Sequence, residues 1–132
     1  MSDLTQKKKP RPAFFNIFYL ALHLGLPGYI SFLHRISGTL LFLATVWFLF
    51  LLDRSLASPE QFAFVKHYLS LPLVKLPLLV LLWSFLHHFF AGVRFLFIDV
   101  HVGVDLPTAR KTSVVVLALS LALTALIGAR LW

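Results

Sequence analysis

Three apolar runs, each long enough to cross a bilayer, constrain this chain more than any other feature: residues 29–52, 71–98 and 112–131. A hydrocarbon core of about 30 Å takes about 20 residues of helix. Inside it every backbone N–H and C=O must be satisfied within the segment, which leaves α-helix as the conformation open to such runs. Three spans and their short ends use nearly all of the 132 residues, so no length remains for a soluble catalytic domain. Composition agrees: 59% of residues are hydrophobic and 13% charged, against about 25% charged in a soluble domain, and the mean hydropathy is +0.87. The formal charge of +7 raises nucleic acid as a partner, but the basic residues sit at the ends of apolar runs and not along one soluble face. They read as topology signals for a lipid bilayer, and no nucleic acid is expected. With no cysteine, the chain is without disulfides, thiolate-held iron–sulfur clusters and covalent c-type haem, so a redox cofactor held here must use histidine.

The remaining segments organise around these spans. Residues 1–12 are polar, with Lys7, Lys8, Lys9 and Arg11 ahead of Pro12, and are expected to be a cytoplasmic tail. Residues 13–26 are apolar, with Asn16, Tyr19 and His23 at near-helical spacing. As a helix ending at Leu26 they would cover about 21 Å, too short to cross, which predicts an interfacial helix. A cleaved signal peptide is the rival reading, but no A-x-A-like site follows. Pro27-Gly28 is expected to break the chain before the first span, and the stretch from Asp53 to Glu60 to form a polar loop before the second. Counting Lys and Arg near the ends, the N-terminal tail with Arg94, Arg110 and Lys111 outweighs Arg54, Lys66, Lys75 and Arg130, which puts the N-terminus in the cytoplasm. In the third span Ala118, Ala122, Ala125 and Ala129 recur on one side, with Ser120, Thr124 and Gly128 close by, a small-residue pattern expected to pack against a neighbour. The expected fold is an all-α membrane protein, one domain over residues 1–132, with three transmembrane helices and a short N-terminal interfacial helix.

Two clusters carry chemistry. Arg35 lies inside the first span, where an arginine costs about 2.5–3.5 kcal/mol on insertion scales unless paired or hydrated. At 100° per residue Ser31, His34, Arg35 and Gly38 share one face, with Thr45 above them. The plainer reading is that Arg35 snorkels to the headgroups, which leaves its Ser, His and Gly companions unexplained. His87 and His88 lie in the second span, about 15 Å from Asp99 and near mid-membrane. His88 shares a face with Ser84, Gly92, Phe95 and Asp99, whereas His87 points toward Trp83, Ala91 and Arg94. Gly92, one turn away, removes a side chain that would block a flat macrocycle. This geometry favours His88 as an axial haem ligand and His87 as a packing or hydrogen-bonding residue; a histidine satisfied by another helix is the alternative. A six-coordinate haem needs a second ligand at the same depth. His34, close to the end of its own helix, is expected at a different height, so the second ligand is expected from another membrane chain. His34 and Arg35 are then placed to meet haem propionates or a quinone carbonyl. His23, His67 and His101 lie at edges or loops and read as solvated.

Two motifs, Ser31-Phe32-Leu33-His34-Arg35-Ile36-Ser37-Gly38 and His88-Phe89-Phe90-Ala91-Gly92-Val93-Arg94 ending in Asp99, together with Arg11-Pro12 upstream, resemble those of the cytochrome b membrane-anchor subunits of succinate dehydrogenase, respiratory complex II. The family pattern is S-x-x-H-R-x-S/T-G opening the first helix and H-x-x-x-G-x-R-x-x-x-x-D closing the second; order, spacing and three-span length all match. The resemblance implies a membrane-anchor domain in which His88 is one axial ligand of haem b and a companion small anchor subunit supplies the other. It implies that Ser31 and Arg35 line a ubiquinone site at the cytoplasmic face, and that His34 and Arg35, with Arg94 of the second motif, stand on the propionate side or in its second shell. Many relatives carry a second His after the motif arginine, where this chain has Phe95.

The implied function is to bind haem b and help electrons from succinate reach ubiquinone in a bacterial inner (cytoplasmic) membrane. The dehydrogenation itself belongs to flavoprotein and iron–sulfur partner subunits: this chain has no G-x-G-x-x-G, no Cys and no in-membrane carboxylate, and it is non-catalytic for succinate oxidation alone. The direction of electron flow, as in fumarate reductase, is not set by these residues. A small transporter or export subunit is the rival class, but proton-coupled transport calls for an interior acid, and all acids here fall at ends or loops. A haem-free structural anchor is the third reading.

Overall fold

The computed structural model describes residues 25–131; the expected tail and all but the last two residues of the expected interfacial helix lie outside the described residues. Among the described residues the chain is all-helical. α1 spans Leu26–Ala57, α2 Pro59–Ser70, α3 Pro72–Asp99 and α4 Leu106–Leu131. Three of them, α1, α3 and α4, are long and apolar enough to cross a membrane.

Each boundary that departs from expectation has a local cause. α1 begins at Leu26, a turn earlier than expected, because Pro27 falls in the first turn, where its missing N–H goes unneeded. It then runs through Asp53 and Arg54, which were expected in a loop. At about 48 Å it exceeds the hydrocarbon core, so its last turns project beyond it, and Arg54 lies over the Phe50 ring at 5.3 Å. Ser58, in extended conformation, separates α1 from α2; its hydroxyl accepts from the Gln61 amide at 3.2 Å, and Pro59 opens the next helix. The Ser58 hydroxyl and its own backbone amide hold the Glu60 carboxyl below its ordinary value. Phe62, Val65 and Leu69 then lay one apolar face of α2 beside Phe48, Leu51 and Leu52 of α1. Leu71 is extended ahead of Pro72, as a residue before proline must be to avoid its ring.

α4 also starts early, at Leu106 and not near Thr112. The Asp105 carboxylate accepts from the Thr108 amide at 2.9 Å and Pro107 sits in the first turn, so polar residues 108–111 are drawn into the helix. The Thr108 amide and hydroxyl hold the Asp105 carboxyl below its usual range.

α3 is the central helix, packing on α1 along one side and α4 along the other. Ile30, Ala91 and Val116, one from each spanning helix, form a small buried cluster. Most large apolar side chains point outward instead, Phe42 at 73% and Leu73 at 81% exposure among them, as expected where lipid is the solvent. The small residues Ser120, Thr124 and Gly128 of α4 pack into the bundle as expected, together with Ser113, while Ala118, Ala122, Ala125 and Ala129 are exposed. The hydroxyls of Ser113, Ser120 and Thr124 bond back to the carbonyls of Ala109, Leu117 and Ser120, so each enters the seam small and already satisfied.

Candidate functional site

Both sequence motifs contain the same step, a histidine with a glycine four residues later, and four residues on a helix is nearly one full turn. α1 and α3 run antiparallel, Leu41 and Phe48 lying beside Leu78 and Phe85. The two steps therefore meet head to tail, each imidazole over the other helix's glycine. A Cβ on Gly38 would fall 2.8 Å from His88 Cε1, and one on Gly92 would fall 3.5 Å from His34 Nε2. The two rings stack at 4.1 Å between centroids, 6° from parallel, and Phe95 closes against His34 at 5.1 Å.

This contact corrects the expected mismatch of heights. His34 lies about 12 Å from the start of α1 and His88 about 16 Å from the end of α3; the packing of α1 on α3, close at Gly38 and Gly92, sets the two rings level. Even so, the pair does not form an axial couple. Two imidazoles that share an iron aim nitrogens at it from opposite sides, whereas these rings cover each other's faces.

The tautomer of His88 follows from its partners. Nδ1 lies 3.0 Å from the His34 carbonyl and 3.3 Å from Ser37 Oγ, and Ser37 Oγ itself donates to that carbonyl at 2.9 Å. A carbonyl only accepts, so Nδ1 carries the proton and Nε2 keeps an in-plane lone pair that no stacked ring covers. Histidines that ligate metals are held in this way, the second nitrogen donating to a backbone carbonyl. His88 thus fits as an axial haem ligand. Among the described residues no group of three or more His, Asp or Glu could cage a free metal ion.

An open cleft of about 430 Å³ lies beside the stack, lined by His34, Arg35, Gly38, Thr39, Phe42 and His88. Arg35 is exposed at its edge. Ser31 is half-buried one turn nearer the start of α1 and does not line the cleft. Arg94 faces the other way: it is 7% exposed, donates from Nε to Thr112 Oγ1 at 3.0 Å and from Nη2 to the Ala109 carbonyl at 3.4 Å, and lies over Phe95 at 5.5 Å. Its link to the cleft runs through Phe95 to His34. His87 is fully buried and stacked on Trp83 at 5.2 Å. Neither of its ring nitrogens reaches hydrogen-bond geometry among the described residues. The four acids described, Asp53, Glu60, Asp99 and Asp105, are all exposed, and none enters the bundle.

Sequence reasoning left Ser37 without a role and assigned the critical gap to Gly92; the tighter approach is at Gly38. The sign was present in the repeated H-x-x-x-G step, which, set antiparallel, places each histidine over a glycine.

A three-span helical membrane protein with an imidazole and guanidinium cleft at the crossing of its first two spans is the class defined by this fold and site. The chain belongs to the succinate dehydrogenase/fumarate reductase transmembrane subunit family, whose model matches residues 7–127. It is 33% identical over 119 residues to the succinate dehydrogenase cytochrome b556 subunit of Coxiella burnetii (strain RSA 493 / Nine Mile phase I), a match covering 89% of this chain and 94% of that protein. It is thus a multi-pass membrane-anchor subunit of that family, as the two motifs led us to expect.

Proposed function

We propose that this chain is the haem b-binding anchor of a succinate:ubiquinone oxidoreductase in a bacterial inner membrane, its N-terminus in the cytoplasm. The observation that carries the reading is the His88 imidazole, tied through Nδ1 to the His34 carbonyl and Ser37 with Nε2 left as the donor. His88 would hold the haem iron from this chain, and a companion anchor subunit would supply the other ligand. Haem b, when bound, supplies a one-electron redox centre within the membrane.

The chain's own residues orient and hold. Ser37 and the His34 carbonyl fix the ring of His88; His34 and Arg35 stand at the cleft for the propionates, and Arg94 supports them from behind Phe95. Arg35 with Ser31, one helical turn away, binds a ubiquinone carbonyl and stabilises the charge that develops there on reduction. Flavoprotein and iron–sulfur partner subunits deliver the electrons from succinate. Exposed Arg110 and Lys111 at the start of α4, on the side of Arg94, support the cytoplasmic placement of that end.

The test is the b-type absorption band of membranes containing the assembled complex. His88→Ala should abolish the band assigned to this anchor while the subunits still copurify. An undiminished band would remove His88 as ligand, and a complex with no band before substitution would leave a haem-free structural anchor.

A further inference from the structure

Arg94 presents a charge problem that the haem site does not solve. Its guanidinium is buried near the end of α3, about 7 Å inside Asp99 along the helix axis, yet its partners are a hydroxyl and a long contact to a carbonyl, both neutral. No carboxylate among the described residues pairs with it: Asp53 and Glu60 lie at the far end of the bundle, and the exposed Asp99 and Asp105 make no contact with its guanidinium. A guanidinium at membrane depth calls for an anion or water.

Arg94 opens onto a groove of about 320 Å³ between α3 and α4. Its other walls are apolar, including Phe90, Val93, Phe97, Val115 and Leu119, and the turn at Val102-Gly103 forms its rim. Gly103, at φ +74°, makes that turn possible. The groove opens outward, since Phe97 and Val115 are more than half exposed. Arg110 and Lys111 add two exposed positive charges on α4 at the same end. A soluble anion would have no use for the apolar walls. A ligand that joins an anionic phosphodiester to a hydrocarbon chain complements both parts, and the depth of Arg94 is where headgroup meets hydrocarbon.

We propose that the α3–α4 groove binds one anionic phospholipid, its phosphate on Arg94 and an acyl chain along Phe90, Val115 and Leu119. The site is separate from the imidazole cleft, which opens between α1 and α3.

The test uses the assembled complex, reconstituted in vesicles of equal phosphatidylglycerol and phosphatidylcholine and then released for native mass spectrometry of retained lipid. Retention of phosphatidylglycerol over phosphatidylcholine should be about fivefold, the factor expected from one basic side chain meeting an anionic headgroup. Arg94→Gln should bring the two lipids level, and Arg94→Lys should keep the preference. Val115→Trp, which fills the groove without touching the guanidinium, should lower retention of both lipids, and it carries the test if Arg94→Gln fails to assemble. Equal retention by the unaltered complex, a preference that survives Arg94→Gln, or retention indifferent to Val115→Trp would each overturn the proposal. So would displacement of the lipid by inorganic phosphate, which would assign the site to a soluble anion, or a partner carboxylate found on Arg94.

Discussion

Gly38 and Gly92 occupy matching positions in their helices but are not equally demanding. A methyl group on Gly38 would have to share space with the His88 ring at 2.8 Å, whereas on Gly92 it would meet His34 at an ordinary contact distance of 3.5 Å. The His88 ring cannot slide away freely, because Nδ1 is held at the His34 carbonyl and Ser37. Gly38→Ala should therefore turn the imidazole out of its hydrogen bonds and lower cofactor retention by about tenfold, in line with other losses of the groups that orient a metal ligand. Gly92→Ala should do markedly less. The b-type absorption of the two variants, normalised to protein, checks this; an equal loss in both would show that the contact at Gly38 does not matter. His87, next in sequence to His88, has the opposite surroundings, buried against Trp83 with neither ring nitrogen in hydrogen-bond geometry among the described residues. One helical step of 100° separates an imidazole held at Nδ1 from one that only packs.

At the scale of elements, local chemistry at helix ends sets how deep each functional residue sits. Pro27 lets α1 start at Leu26, so that His34 lies about two turns inside it; Ser58 and Pro59 divide α1 from α2; Asp105 and Pro107 extend α4 past its apolar run. The Asp105 cap carries a pH dependence with a definite sign. Its carboxyl is held below the ordinary value by the Thr108 amide and hydroxyl, so its stabilisation of α4 is fully present above the unfolded value of about 3.9 and is lost as pH falls through the folded value. Amide-exchange protection of Thr108, corrected for intrinsic rates, should fall on that acid limb. Asp105→Asn should keep the cap and remove the pH dependence, and Asp105→Ala should lose protection at every pH. Protection that ignores both pH and substitution would show that the cap does not hold the turn.

For the whole molecule, the outward display of apolar side chains and the side opening of the cleft make function a property of the assembly. Arg35 stands exposed at the cleft edge, reaching no described carboxylate. In the intact complex Arg35→Leu should lower succinate:quinone reductase activity by about 10²-fold, the usual cost of losing a donor to developing negative charge, while succinate oxidation by an artificial acceptor stays unchanged. Equal loss of both would mean that Arg35 supports assembly and not quinone. The three spans, the all-helical class and the two motif clusters could be read directly, because hydropathy and the 100° helical step are local properties. The small residues of α4 mark faces that can pack without saying which of them meets α3, and within this chain burial went to the one carrying Ser113, Ser120, Thr124 and Gly128. What the sequence determined by itself is therefore the number of crossings and which side chains share a face. Only the tertiary structure decided that His34 lies against His88, that Gly38 is the tight glycine and that Arg94 turns toward α4, because the relative height of two helices depends on how their surfaces dock and on the glycines that let them approach.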